Sequence, residues 1–131
     1  MTRAALQTAL YARLANYAPL SALADAVYDH VPQDAAFPYV QVGEIDGTEW
    51  DTDTSLGSDD TVTIHVWSRY RGRLETHQIQ DAIYGALHRH ALAVDGAHVV
   101  TVEFEFADSL LDPDGLTRHG VQRFRVLLNQ E

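Results

Sequence analysis

Residues 61–73 read TVTIHVWSRYRGR, and their pattern decides the fold. Val62, Ile64 and Val66 alternate with Thr61, Thr63, His65 and Trp67, the period-two signature of a strand with one face in a core. The run then turns through Ser68, Arg69, Arg71, Gly72 and Arg73 into a helical pattern, reading as a helix from Arg73 to about His90. Its apolar stripe is Ile79, Ala82, Ile83, Ala86 and Leu87. A strand, an arginine corner and a helix form the unit on which the remaining elements must pair or pack.

The last third pairs with itself. Val100, Val102, Phe104 and Phe106 alternate with Thr101, Glu103 and Glu105, and Phe124, Val126 and Leu128 alternate with Arg123 and Arg125. Asp112-Pro113-Asp114-Gly115 supplies a reversal between the two runs. A hairpin register that sets Phe104 opposite Phe124 and Val102 opposite Val126 also sets Glu103 opposite Arg125 and Glu105 opposite Arg123. One register thus satisfies both faces, and a slip of one residue would bury charge.

Upstream, Leu6, Ala9, Leu10, Leu14 and Tyr17 mark one face of a helix over Thr2–Tyr17, with Thr2 as N-cap and Pro19 as the stop. Leu20 and Leu23 suggest one more short turn, and Val27 and Tyr28 lead into a polar connection. Phe37–Ile45 reads as a strand, with Val40 and Val42 on one face and Tyr39 and Gln41 on the other. Asp46–Asp60 holds six carboxylates, no basic residue and Trp50, and reads as a long mobile acidic loop. Asp95-Gly96 is a hairpin-type turn signal. The order helix-strand-strand-helix-strand-strand predicts a single α+β domain over 1–131. Its two layers are a four-stranded, mainly antiparallel sheet and two helices on one face. The other face, with Thr63, His65, Trp67, Glu103, Glu105, Arg123 and Arg125, either faces water or meets a partner, and Trp67 favours the partner.

The chain has 131 residues, 46% of them hydrophobic, which suits one globular domain. Nineteen acidic residues against nine basic ones give a formal charge of -10, which disfavours general nucleic-acid binding. All nine basic residues are arginine, and cysteine is absent, which removes disulfides, thiol nucleophiles and thiolate metal sites. No run reaches the length of a membrane span and no secretory signal is visible, so a soluble protein made in the cytoplasm is expected.

Catalytic patterns fail in turn. His88 and His90 lie on opposite sides of a helix, and His77 with Asp81 has the spacing of an ordinary solvated pair. His88, Arg89 and His90 suit the helix's last turn through the dipole. Asp51, Asp53 and Ser55 resemble the start of a calcium loop, but Leu56 and Val62 occupy the positions that need glycine and glutamate. There is no glycine-rich phosphate loop and no nucleophile elbow. The reading is a non-enzyme with no cofactor and no metal site.

Three stretches carry a resemblance: Pro38-Tyr39-Val40, the VWSR segment with Gly72 and its following helix, and DPDGLTRHGVQRFRV. Together they resemble the small tail completion proteins, or tail terminators, of long-tailed phages and gene transfer agents, over nearly the whole chain. The resemblance implies a virion protein at the head-tail junction. It implies a homo-oligomeric ring, usually of six subunits, that caps the tail tube, stops its polymerisation and meets the head's connector or stopper protein, while DNA passes through without specific binding. A ring needs two different patches per subunit. Under this reading Trp50, Asp51 and Asp53 on the acidic arm form one. Trp67 with Arg69, Arg71 and Arg73, and the outer-face residues Glu103, Glu105, Arg123 and Arg125, form the second. The competing readings are a head-side connector or stopper protein and an acidic regulatory or inhibitory host domain.

Overall fold

The computed structural model describes residues 2–130. In chain order it contains α1 (Arg3–Ala15), α2 (Ala18–Ser21), β1 (Ala26–Tyr28), β2 (Tyr39–Glu49), β3 (Gly57–Ser68), α3 (Leu74–Leu87), β4 (Ala97–Leu111) and β5 (Arg118–Gln130). The strands form one mixed sheet in the order β1-β2-β3-β5-β4. The class is α+β as expected, but there are five strands rather than four, and β1 runs parallel to β2 through Ala26–Tyr39, Val27–Val40 and Tyr28–Gln41. Three residues are too few to display an alternation, so β1 had no sequence signature.

Both long helices pack on one face of the sheet. The stripe Leu6, Ala9, Leu10 and Leu14 of α1 and Ile79, Ile83, Ala86 and Leu87 of α3 close over Val40, Val42, Val62, Ile64, Val66, Phe124, Val126 and Leu128. Burying each large aliphatic side chain here contributes roughly 1.5–3 kcal/mol. Thr2 does not cap α1 with its side chain; its carbonyl accepts from the Leu6 N–H at 2.9 Å. The second long helix starts one residue later than expected and ends at Leu87. His88 follows it, and its Nδ1 accepts from the Phe104 N–H at 3.0 Å. The Asp95-Gly96 turn leads into β4 from a segment without regular structure and joins no hairpin.

The β4–β5 hairpin keeps Val102–Val126, Glu103–Arg125 and Phe104–Phe124 in register, and then the expected pattern fails. A register shift between Phe104 and Phe106 leaves Glu105 unpaired and sets Phe106, not Glu105, opposite Arg123. One extra residue inverts the parity of everything after it. Phe106 therefore joins the outer face, where the Arg123 guanidinium lies 5.3 Å from its ring centre, instead of entering the core. A second shift between Val99 and Thr101 leaves Val100 exposed. Both irregularities sit on an edge strand, where they discourage pairing with other chains.

The acidic stretch 46–60 is mostly ladder. Asp46–Thr61, Gly47–Asp60, Thr48–Asp59 and Glu49–Ser58 are paired, and residues 57–60 pair in turn with residues 126–129 of β5, so this acidic arm is one end of the sheet itself and the connection shrinks to residues 50–56. That tip is tied down by hydrogen bonds from Trp50 N to Gly57 O (3.0 Å) and from Gln130 N to Leu56 O (2.8 Å).

Candidate functional site

Three regions outside the core carry distinctive chemistry: the outer face of the sheet and its two ends. On the outer face, alternation brings His65 and Trp67 of β3 beside His119 of β5 and Tyr39 of β2. The Trp67 and His119 rings stack at 3.9 Å with planes 6° apart, and His65 stacks on His119 at 4.9 Å. Tyr39 continues the row beside Trp67, Phe37 lies 5.0 Å from Tyr39, and the Arg69 guanidinium lies 4.2 Å above the Phe37 ring. Trp67 is therefore half-buried in a ring stack, not a freely exposed anchor, and its Nε1 is buried without a partner among the described residues.

A polar relay crosses the same face. His65 Nε2 lies 2.9 Å from Glu44 Oε1, and His65 Nδ1 lies 2.7 Å from His119 Nε2, so one of the two facing nitrogens must accept. Burial, and then the neighbouring His65, hold His119 below the ordinary histidine range. The bond from His65 is the main reason that Glu44 sits below the ordinary carboxylate range. Thr63, expected on this face, is there but buried.

The outer-face charges pair differently from the expectation. Arg125 stands opposite Glu103 in the ladder, yet its guanidinium grips Asp59 across the β3–β5 boundary, through Nε at 2.9 Å and Nη2 at 2.6 Å. Glu103 instead accepts from Arg89 (3.2 Å) and Thr101 (2.9 Å). Glu105 is exposed and unpaired in the ladder.

At the arm end, Asp46, Glu49, Asp51 and Asp53 are exposed, Trp50 is half-buried and Leu56 is exposed. Asp51 Oδ1 accepts from the Gly57 N–H at 2.9 Å, which shapes the tip. Asp60 points the other way: it is 1% exposed, one oxygen accepts from Ser58, and the other has no partner among the described residues. Burial pushes its carboxyl above the ordinary range.

At the opposite end of the sheet lie the arginine corner and the β4–β5 turn. Ser68 Oγ donates to Glu75 at 2.7 Å and accepts from Tyr70 N, which fixes the chain as it leaves β3. Asp114 accepts from Leu116 N, Thr117 N and Thr117 Oγ1, and these bonds lower its carboxyl to about 2. Arg69 donates to Thr117 at 3.4 Å, and Arg118 donates to the Arg71 carbonyl at 3.3 Å. Tyr70, Leu74, Leu110, Leu111 and Leu116 are all exposed at this end. None of these five, nor His119, stood out in the sequence. The Leu110-Leu111 pair directly before Asp112 was the one available signal, an apolar dipeptide where a turn flank is usually polar.

Among the described residues no group of three or more His, Asp or Glu side chains is placed to hold a metal ion, and no helix is long and apolar enough to cross a membrane. Residues 8–129 match the family model described as tail completion protein gp17. The chain is 31% identical over 125 residues to the tail completion protein gp17 of Bacillus phage SPP1, covering 95% of this chain and 92% of that one. A chain of the solved virion of a native gene transfer agent particle superposes with a TM-score of 0.91 at 27% identity, over 98% of this chain and 97% of its own. The solved structure of bacteriophage SPP1 gp17 superposes with a TM-score of 0.64 at 29% identity, over 98% and 90%. A match that runs from the first helix to the last strand makes this chain a member of the tail completion protein gp17 family, a family of structural proteins and not of enzymes.

Proposed function

We propose that this chain assembles into a ring, six copies in number, that caps the finished tail tube, ends its polymerisation and presents a surface to the head's connector or stopper protein. The observation that carries the reading is the superposition, nearly complete on both sides, on a chain of the gene transfer agent virion. The chemistry of the two ends supports it. A ring is built from heterologous contacts, in which each copy offers two unlike patches. This chain has an acidic arm with Trp50, Asp51 and Asp53 at one end, and an arginine and leucine corner with Arg69, Arg71 and Arg73 at the other. The outer face with Trp67, Glu103, Glu105, Arg123 and Arg125 is left for the tube or the connector. A formal charge of -10 per copy lets DNA pass without adhering.

The test is to add the purified protein to tails grown without a terminator and to score tube length and end caps by negative-stain electron microscopy. Capped tubes of arrested length are expected. Binding to portal-bearing heads, with tubes left uncapped, would replace the tube-capping role by a connector role.

A further inference from the structure

The distribution of unpaired charge names the contact between neighbours. Seven of the nine arginines have an intramolecular partner. Arg3 donates to Ile45 O, and Arg13 donates to Ala86 O. Arg69 covers Phe37, Arg118 donates to Arg71 O, and Arg123 covers Phe106. Arg89 pairs with Glu103, and Arg125 with Asp59. Among the described residues Arg71 and Arg73 have no ion pair, side-chain hydrogen bond or ring beneath them, and both are exposed. Arg73 is moreover the N-cap of α3, where the helix dipole disfavours a positive charge. Two unpaired guanidinium groups, one of them at an unfavourable place, share this end of the sheet with exposed Tyr70, Leu74, Leu110, Leu111 and Leu116, which together have the arginine and apolar composition of an interface core.

The complementary patch is on the same chain. Asp46, Glu49 and Asp53 are exposed on the arm and have no ion pair among the described residues, with exposed Leu56 beside them. Gly57 and Ser68 bound β3, so the two patches stand about 36 Å apart at some 3.3 Å per residue. That span is too long for one copy to satisfy itself.

We infer that the acidic arm of one copy docks on the Arg71–Arg73 corner of the next, its carboxylates meeting the two free guanidinium groups and Leu56 meeting the exposed leucines at that end of the sheet. The occupant of each patch is thus a second copy of this chain, and repetition of one contact builds the assembly. The inference rests on the ring proposed above and specifies its joint.

Two variants test it without touching a hydrogen bond of the fold: an arm variant, Glu49→Arg with Asp53→Arg, and a corner variant, Arg71→Glu with Arg73→Glu. Circular dichroism establishes that each is folded, and sedimentation velocity then follows assembly. The wild-type chain is expected to assemble, more weakly as salt rises. Each variant alone opposes like charges at every joint and should self-associate roughly a hundredfold more weakly, or less well still. An equal mixture should recover the wild-type species, because an arm variant and a corner variant satisfy both joints when they alternate; a six-membered ring then holds three of each, which native mass spectrometry counts. Variants that assemble alone as the wild type does, or a mixture that stays dissociated, would overturn this joint and leave the ring standing. A wild-type chain that stays monomeric at every concentration, and on tube ends, would overturn the ring itself.

Discussion

Glycine to alanine in a strand ordinarily stabilises a protein by about 0.5–1 kcal/mol, because alanine has less freedom to lose. Gly43 should reverse that sign. It lies in the irregular stretch of β2 between Val42 and Ile45, directly beneath the His65 ring. A Cβ there would stand 2.5 Å from His65 Cδ2, 2.7 Å from His65 Nε2 and 2.8 Å from the Thr63 carbonyl oxygen, all inside van der Waals contact. The imidazole can swing away only by giving up its contacts at 2.7 Å to His119 and 2.9 Å to Glu44, at about 0.5–1.5 kcal/mol each. The Thr63 carbonyl belongs to a central strand and has nowhere to go. Overpacking of this kind costs about 1–3 kcal/mol, so Gly43→Ala should be net destabilised by that order, with a melting temperature lower by roughly 3–5 °C per kcal/mol for a chain of this size. Urea denaturation followed by tryptophan fluorescence measures it, since Trp67 stacks on the His119 ring, which would lose its His65 neighbour. Gly72→Ala is the control: its nearest neighbour is 3.9 Å away, and the ordinary small gain should appear. A Gly43→Ala protein as stable as the wild type would refute the packing of this face. Adding His65→Ala should rescue only part of the loss, because the carbonyl remains.

Phe124 is fully buried and meets Phe104 edge-on at 5.8 Å, whereas Phe104 is half-buried at the sheet edge. Phe124→Ala should cost about 3–5 kcal/mol and Phe104→Ala distinctly less; equal losses in urea denaturation would mean that β4 is not the edge strand described. Asp60 has a raised carboxyl, so the folded state holds its proton more tightly than the unfolded state, and this group's contribution is complete below its ordinary value of 3.8 and lost as pH rises through the folded value. Asp60→Asn should therefore match the wild type near pH 3.5 and exceed it by about 1–3 kcal/mol at neutral pH, the cost of a buried acceptor without a partner; stability curves that stay parallel from pH 3.5 to 7 would contradict that burial.

How far the sequence carried depended on whether an element's signal was periodic and long. The stripes of α1 and α3 and the alternation of β3 and β5 were legible, because a dozen residues repeat one period against one core. The β4 pattern was legible only to Phe104, since a bulge leaves no mark in a run such as Phe104-Glu105-Phe106, where either parity looks sound. The arm was hidden for the opposite reason. Asp46, Gly47, Asp59 and Asp60 are poor strand formers, and they are held in a ladder by partners the sequence cannot rank, Arg125 on Asp59 and Ser58 on Asp60. The Trp67 surroundings were equally hidden, because the ring that covers it comes from His119, fifty-two residues on.

The pairing pattern also changes what the net charge means. A formal charge of -10 spread evenly would make every pair of copies repel equally and give a ring no preferred joint. With seven arginines partnered inside the fold, Arg71 and Arg73 are the exposed guanidinium groups left without an internal partner among the described residues, and an approach that brings other acidic surfaces together is opposed. Repulsion at the wrong faces selects an orientation as firmly as attraction at the right one, and it does so without strong affinity at any single contact. On the proposed ring, the same excess of acid opposes contacts between copies other than this joint. If copies meet on a tube end as proposed, being held close and in register raises their effective concentration further, so that even a modest joint closes there.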